Sequence, residues 1–248
     1  MLDDLKYLFA YTVPLATLFS IFSDGIMTFI TPIYTFVFIP LLEIILKDKD
    51  FNSNYSEKQI ENKLTNKIFD YLLYGNIPLV FIILFSGIYI LSNNSLMMYE
   101  IIGITLSLGI LLATNAINVA HELGHRKSIF ERTLSKLLLI PCLYMHFYLE
   151  HNFGHHKNVA TPEDPATSKH NQTVYSFWIT SVFNQYLNAW NIQKDILDRS
   201  NKGFLSISND MIWYHLIQFG YLFLVYSFFG LHGLIYAIIC GIISFLFL

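Results

Sequence analysis

Five of the nine histidines lie in two short strings, HELGH at 121–125 and EHNFGHH at 150–156. His121 and His125 stand at i and i+4, as do His151 and His155, and on a helix that spacing puts two imidazoles on one face. His156 extends the second group to an adjoining position. Imidazole suits zinc, copper, nickel and iron alike, so the strings predict a metal site without naming the metal. HELGH also fits H-E-x-x-H, in which two histidines bind zinc and the glutamate, here Glu122, is the general base of a protease. A catalytic zinc takes one further protein ligand, which a glutamate or aspartate of another segment could supply, and keeps a position open for water, so one zinc has no use for His151, His155 and His156 together. Five histidines instead point to two ions, and a nitrogen-rich pair suits iron and O2 chemistry better than hydrolysis. Spacing alone leaves the redox state open. Of the others, His170 falls in a polar loop, His215 near the end of an apolar run and His232 in a turn, where structural roles are expected. His146, five residues before His151, is a candidate for the pocket or for a place behind the ligands.

These residues must be positioned by a chain with little charge. Apolar residues make up 54% of its 248 positions and charged ones 13%, against about one quarter in ordinary globular proteins. Mean hydropathy is +0.47. Runs long enough to cross a bilayer are predicted at about 25–46, 69–91, 97–120, 211–229 and 231–248, with a shorter sixth at about 7–22. The expected fold is all-α, a single integral membrane domain of about six transmembrane helices. Another apolar stretch, 134–149, carries Lys136, Pro141 and His146 and is expected to be re-entrant or interfacial. Asp3 and Asp4 and the lack of a small-residue cleavage site argue against a cleaved signal peptide. If the six runs alternate, all 15 Lys and Arg share one side, which the positive-inside rule makes the cytoplasm. Residues 121–203, and with them both histidine strings, are then cytoplasmic. Residues 47–68 are expected to form a solvated linker with helical tendency. A net charge of −3 excludes a general nucleic-acid binder, and Cys142 and Cys240, far apart, encode neither a disulfide framework nor a thiolate knuckle. Thr114 and Asn118 precede His121 on one helix face, and a polar stripe on a membrane helix is a functional-site expectation.

HELGHR at 121–126 followed by EHNFGHHKNVATPEDPATS at 150–168 resembles the alkane 1-monooxygenases, the AlkB-type alkane hydroxylases of the membrane di-iron desaturase and hydroxylase superfamily. TPIYTFVFIPLLEIILKDKD at 31–50 resembles that family's second membrane helix and the loop after it, and Trp190, Ser208 and Asn209 also fall where the family has similar residues. The second box separates the chain from typical fatty-acid desaturases, which use H-x-x-H-H, whereas three residues part His151 from His155 here. The resemblance implies a bacterial inner-membrane enzyme with two non-haem iron ions, ligated by His121, His125, His151, His155 and His156. It implies that Glu122 and Glu150 orient ligands, with Asn118, Glu163 and Asp164 as further supports. It implies hydroxylation of the terminal methyl of medium- or long-chain n-alkanes with O2 and electrons from rubredoxin, itself reduced by an NAD(P)H-dependent reductase.

Arg126, Lys127 and Arg132 flank the boxes and would suit docking of an acidic electron carrier, although positive-inside topology accounts for the same charges. One departure stands out. The family carries a third box, H-x-x-H-H, and a histidine in an E-H-Y-G-type segment, and neither occurs here. The chain stops at Leu248 inside an apolar run, which is expected of an N-terminal fragment of a longer enzyme. A xylene-type monooxygenase, a lipid desaturase and an intramembrane zinc protease are the alternatives.

Overall fold

In lipid no water is at hand to pair backbone N–H and C=O groups, so apolar runs of this length are driven to be helical. The computed structural model describes residues 2–46 and 66–248, and all regular structure among these is helical. The predicted linker at 47–68 lies largely outside the described residues. Among the described residues four helices are long and apolar enough to cross a membrane: Gly25–Leu46, Ile68–Asn93, Met98–Gly124 and Asp210–Leu246. We call them α2, α3, α4 and α8. The predicted run at 7–22 is not among them, because a 3-10 stretch occupies Leu2–Tyr11 and leaves only Thr12–Ile21, α1, as α-helix. The runs predicted at 211–229 and 231–248 fall within α8, which Gly230 interrupts at φ 67°, ψ −167°, close to the expected turn. A left-handed φ there suits a residue without Cβ.

The chain divides into two compact units. The first comprises Met1–Val119 and Phe229–Leu248. Its helices approach closely at small residues, as membrane helices do when packing rather than hydrophobicity joins them. A Cβ on Gly109 would meet Ile243 at 2.2 Å, for instance. Buried polar side chains pair between helices. Asn115 Nδ2 donates to Asn76 Oδ1 at 2.9 Å and to the Ala10 carbonyl at 2.9 Å, while Ser20 Oγ lies 3.0 Å from Thr31 Oγ1. Asn115 falls in a π-helical stretch of α4, Leu112–Ile117. Glu100 caps the start of α4, accepting from the N–H groups of Met97 at 2.8 Å and Gly25 at 2.6 Å.

The second unit, Ala120–Phe228, holds both histidine strings. It contains the end of α4, then α5 (Ile129–Leu139), a helical segment α6 over residues 147–158, α7 (Val174–Arg199) and the start of α8. The stretch 134–149, expected to be re-entrant or interfacial, supplies much of this unit's core. Leu138, Leu139, Cys142, Tyr144 and Met145 are all buried. Ser135 Oγ donates to the Ala120 carbonyl at 2.6 Å, tying α5 to the end of α4, and Tyr144 donates to Gln185 Oε1 of α7 at 2.9 Å. The sequence is apolar there because it is covered by protein, and periodicity does not distinguish that from contact with lipid.

Candidate metal centre

α4 is 27 residues long, about 40 Å, which exceeds a hydrocarbon core of about 30 Å. Its last turn can therefore carry polar groups beyond the lipid. His121 sits on that turn and His125 just after it, their rings 4.7 Å apart. α6 supplies the others. Its middle, His151–His155, is π-helical, and the His156 N–H bonds to the carbonyls of His151 and Gly154. An i→i+5 bond brings residue i+5, rather than i+4, back over residue i. The predicted pairing of His151 with His155 on one face is seen in their stacked rings, 5.2 Å between centres, and the π turn adds His156, whose Nε2 is 3.0 Å from His151 Nε2.

His125 Nε2 lies 3.3 Å from the Nε2 atoms of both His151 and His156. With His121, whose ring centre is 4.3 Å from that of His151, the four imidazoles bring one nitrogen each within 4.8 Å of one another. Nitrogens bound to one ion at about 2.1 Å stand about 3.0 Å apart at right angles and about 3.4 Å apart at tetrahedral angles. The spacings among His125, His151 and His156 match, His121 stands beside them within 4.8 Å, and the donor set is all imidazole, so these residues fit a transition-metal ion. Burial and the neighbouring His121, His156 and His125 push His151 down to about 3, keeping it in the neutral form a metal requires. His156 is lowered as well, by burial and then by His125 and His155.

His155 is turned elsewhere. Its Nδ1 lies 2.9 Å from Asp164 Oδ2, and Asp164 Oδ1 accepts from the Ala166 N–H at 3.0 Å while Oδ2 also accepts from Thr167 Oγ1. Burial raises the Asp164 carboxyl, but the bonds from Thr167, Ala166 and His155 outweigh it and hold the group below its usual range. A buried carboxylate on Nδ1 puts the proton there and leaves Nε2 free for a metal. Glu150 is buried in α6, its Oε1 accepting from Asn188 Nδ2 of α7 at 3.1 Å and its Oε2 without a partner among the described residues. Burial raises its pKa against the opposing Asn188 bond. A Cβ on Gly154 would fall 2.7 Å from Asn188 Nδ2 and 2.8 Å from Glu150 Oε1, so glycine lets α7 reach this carboxylate.

The remaining candidates divide. Glu122 is exposed and pairs with Arg126, Oε1 lying 2.8 Å from Nη2, rather than joining the four imidazoles. Asn118, Glu163 and Lys127 are exposed. Arg132 lies against the Tyr148 hydroxyl in a cavity. His146 is buried between the rings of Tyr144 and Tyr186, with Nε2 unpartnered among the described residues. Composition gave no signal for Asn188, Ala166 or Thr167, whose roles depend on which segments meet.

Burial, and to a lesser degree His215, hold His146 near 3. An unfolded histidine takes up its proton near pH 6.5, so the folded state loses stability as pH falls from about 6.5 toward 3. His146→Phe removes that uptake without breaking a bond at Nε2. Melting curves should show the parent losing more Tm than His146→Phe between pH 7 and 5, and equal losses would contradict a buried neutral imidazole.

The helical bundle and its histidine site define a class. The chain belongs to the fatty acid desaturase family, which it matches over residues 99–248. Within that family it is similar to curated alkane 1-monooxygenases: 33% identical to that of Pseudomonas putida over 77% of this chain and 47% of the relative, and 36% identical to that of Acinetobacter baylyi over 73% and 44%. It is also 26% identical to the hydroxylase component of a Pseudomonas putida xylene/toluene monooxygenase, over 86% of this chain and 56% of the relative. The chain spans about half the length, or somewhat less, of these alkane monooxygenases. Its four apolar helices and membrane-enzyme relatives make it an integral membrane protein with a histidine cluster for metal.

Proposed function

We propose that the chain carries metal-binding machinery of a non-haem di-iron monooxygenase. The reaction is hydroxylation of the terminal methyl of medium- or long-chain n-alkanes, with O2 and with electrons from rubredoxin and its NAD(P)H-dependent reductase, at the cytoplasmic face of a bacterial inner membrane. The observation that carries this reading is the convergence of His121, His125, His151 and His156 in a membrane chain similar to alkane 1-monooxygenases. Iron, when bound, supplies the O2 activation that cleaving an unactivated C–H bond demands and that no side chain provides. The four imidazoles would hold one ion, and His155, with its proton fixed on Nδ1 by Asp164, would offer Nε2 to a second. Glu150 keeps an unpartnered buried oxygen beside this group, and burial favours its protonated form. An alkane, having no polar handle, reaches such a site from the bilayer. Glu122, the base in a protease reading, is exposed and turned to Arg126 rather than to the four imidazoles.

The test is metal and product analysis of the purified full-length protein given octane, hexadecane and xylene. Iron in the protein and a 1-alkanol formed only with reduced rubredoxin are expected. Zinc at one per chain without iron would overturn the proposal, and an alkene would favour a desaturase. The likeness to the xylene/toluene hydroxylase supports a second reading, which oxidation of xylene but neither alkane would select.

A further inference from the structure

A cavity of about 310 Å³ opens in the second unit, apart from the histidine cluster, between α5 and the start of α8. Arg132 and Lys136, one turn apart on α5, face it, together with Tyr148 and Asp210. Lys136 Nζ lies 3.6 Å from Asp210 Oδ2 and over the rings of Tyr148 and Tyr214, at 4.7 and 5.4 Å from their centres. Asp210 thus offsets Lys136, and Arg132, which has no carboxylate partner among the described residues, leaves the cavity with an excess positive charge.

Two features fix what this charge would meet. Asp210 is the first residue of α8, a helix long and apolar enough to cross a membrane, so the cavity lies at one end of that helix. Trp213, one turn on, is partly exposed with its indole N–H donating to the Ile207 carbonyl at 2.8 Å, the placement of an interfacial aromatic. The rim is also apolar. Ile129 and Phe153 line the mouth and are exposed, Phe130 and Leu137 are exposed on α5, and Leu216 and Ile217 continue an exposed apolar strip along α8. A short helix with cations on one side and exposed Phe and Leu on another is the pattern of a segment lying in the headgroup region.

We infer that this cavity binds the phosphate of an anionic phospholipid from the surrounding leaflet, with Arg132 as its principal contact, Lys136 beside it and the acyl chains along Leu216 and Ile217. Guanidinium meets phosphate through paired N–H bonds, which favours Arg132 for that place. A choline headgroup would bring its own cation against Arg132 and Lys136, so anionic lipid is preferred. Arg132 is then a lipid contact rather than part of a carrier-docking patch. The inference does not depend on the metal or the reaction.

Native mass spectrometry of the protein in neutral detergent, titrated with dioleoyl phosphatidylglycerol or dioleoyl phosphatidylcholine, tests it. Phosphatidylglycerol should bind about fivefold more tightly, the effect of one cation near an anionic headgroup. Arg132→Gln should abolish that preference and Lys136→Gln should reduce it, whereas Arg132→Lys and the exposed loop variant Lys169→Gln should keep most of it. Equal affinity for the two lipids in the parent protein would overturn the inference, as would a preference surviving both glutamine variants. Inorganic phosphate binding as tightly as the lipid, with the same dependence on Arg132, would mark a free-anion site and overturn it too.

Discussion

Replacing His151 by alanine is expected to abolish stoichiometric metal binding, and with it any oxygenase turnover. Its Nε2 is 3.3 Å from that of His125 and 3.0 Å from that of His156, and its ring is 4.3 Å from that of His121, so it joins the two strings into one group. Carboxylates and carbonyls standing behind a ligand are worth roughly 10–100-fold in metal affinity. Loss of a ligand that three others face should exceed about a hundredfold. The helix is expected to survive, because alanine is the best helix former and His151 is only partly buried. Metal per chain by elemental analysis, with chelator competition for affinity and circular dichroism for fold, gives the result. Full metal content in His151→Ala would remove it from the site, and His170→Ala, in an exposed loop, should change nothing.

How far the sequence reached depended on whether local geometry followed the default. HELGH read correctly as a pair on one face because the end of α4 is ordinary helix as far as Gly124. EHNFGHH was only partly legible: the rings of His151 and His155 stack as a pair on one face, but a π turn also brings His156 onto His151. Nothing in an i, i+4 pattern reports such a turn. The fold class was likewise legible, since long apolar runs in lipid have few structural options. The number of crossings was less so, because the 3-10 start at Leu2–Tyr11 and the break at Gly230 are local backbone events inside apolar sequence. At 134–149 the sequence marked an apolar stretch but not what covers it: Leu138, Leu139 and Cys142 are buried by protein, and burial in protein and in lipid demand the same residues. Asp164 was visible through the prolines at 162 and 165, but its place behind His155 depends on the fold of the whole loop.

Asp164→Asn is expected to weaken metal binding at His155 by roughly 10–100-fold while leaving the four-imidazole group occupied. The carboxylate meets three donors with two oxygens, Oδ1 taking the Ala166 N–H and Oδ2 taking Thr167 Oγ1 and His155 Nδ1. Asparagine has one oxygen and an NH2 group, so at least one of these donors would face another donor. If that donor is His155, its ring loses the bond that fixes the proton on Nδ1, and Nε2 is no longer reserved for metal. A buried group left unsatisfied costs about 1–3 kcal/mol, so a fall in Tm should accompany the change. His155→Ala separates the two effects, since it removes the ligand outright but leaves Asp164 its bonds to Ala166 and Thr167. With iron titrated into each protein, His155→Ala should lose the weaker ion completely, whereas Asp164→Asn should bind it at higher concentration and with an altered pH dependence. Asp164 is then a positioning residue. An Asp164→Asn protein with lower Tm but unchanged affinity for both ions would reduce Asp164 to a residue that holds the turn between Pro162 and Thr167.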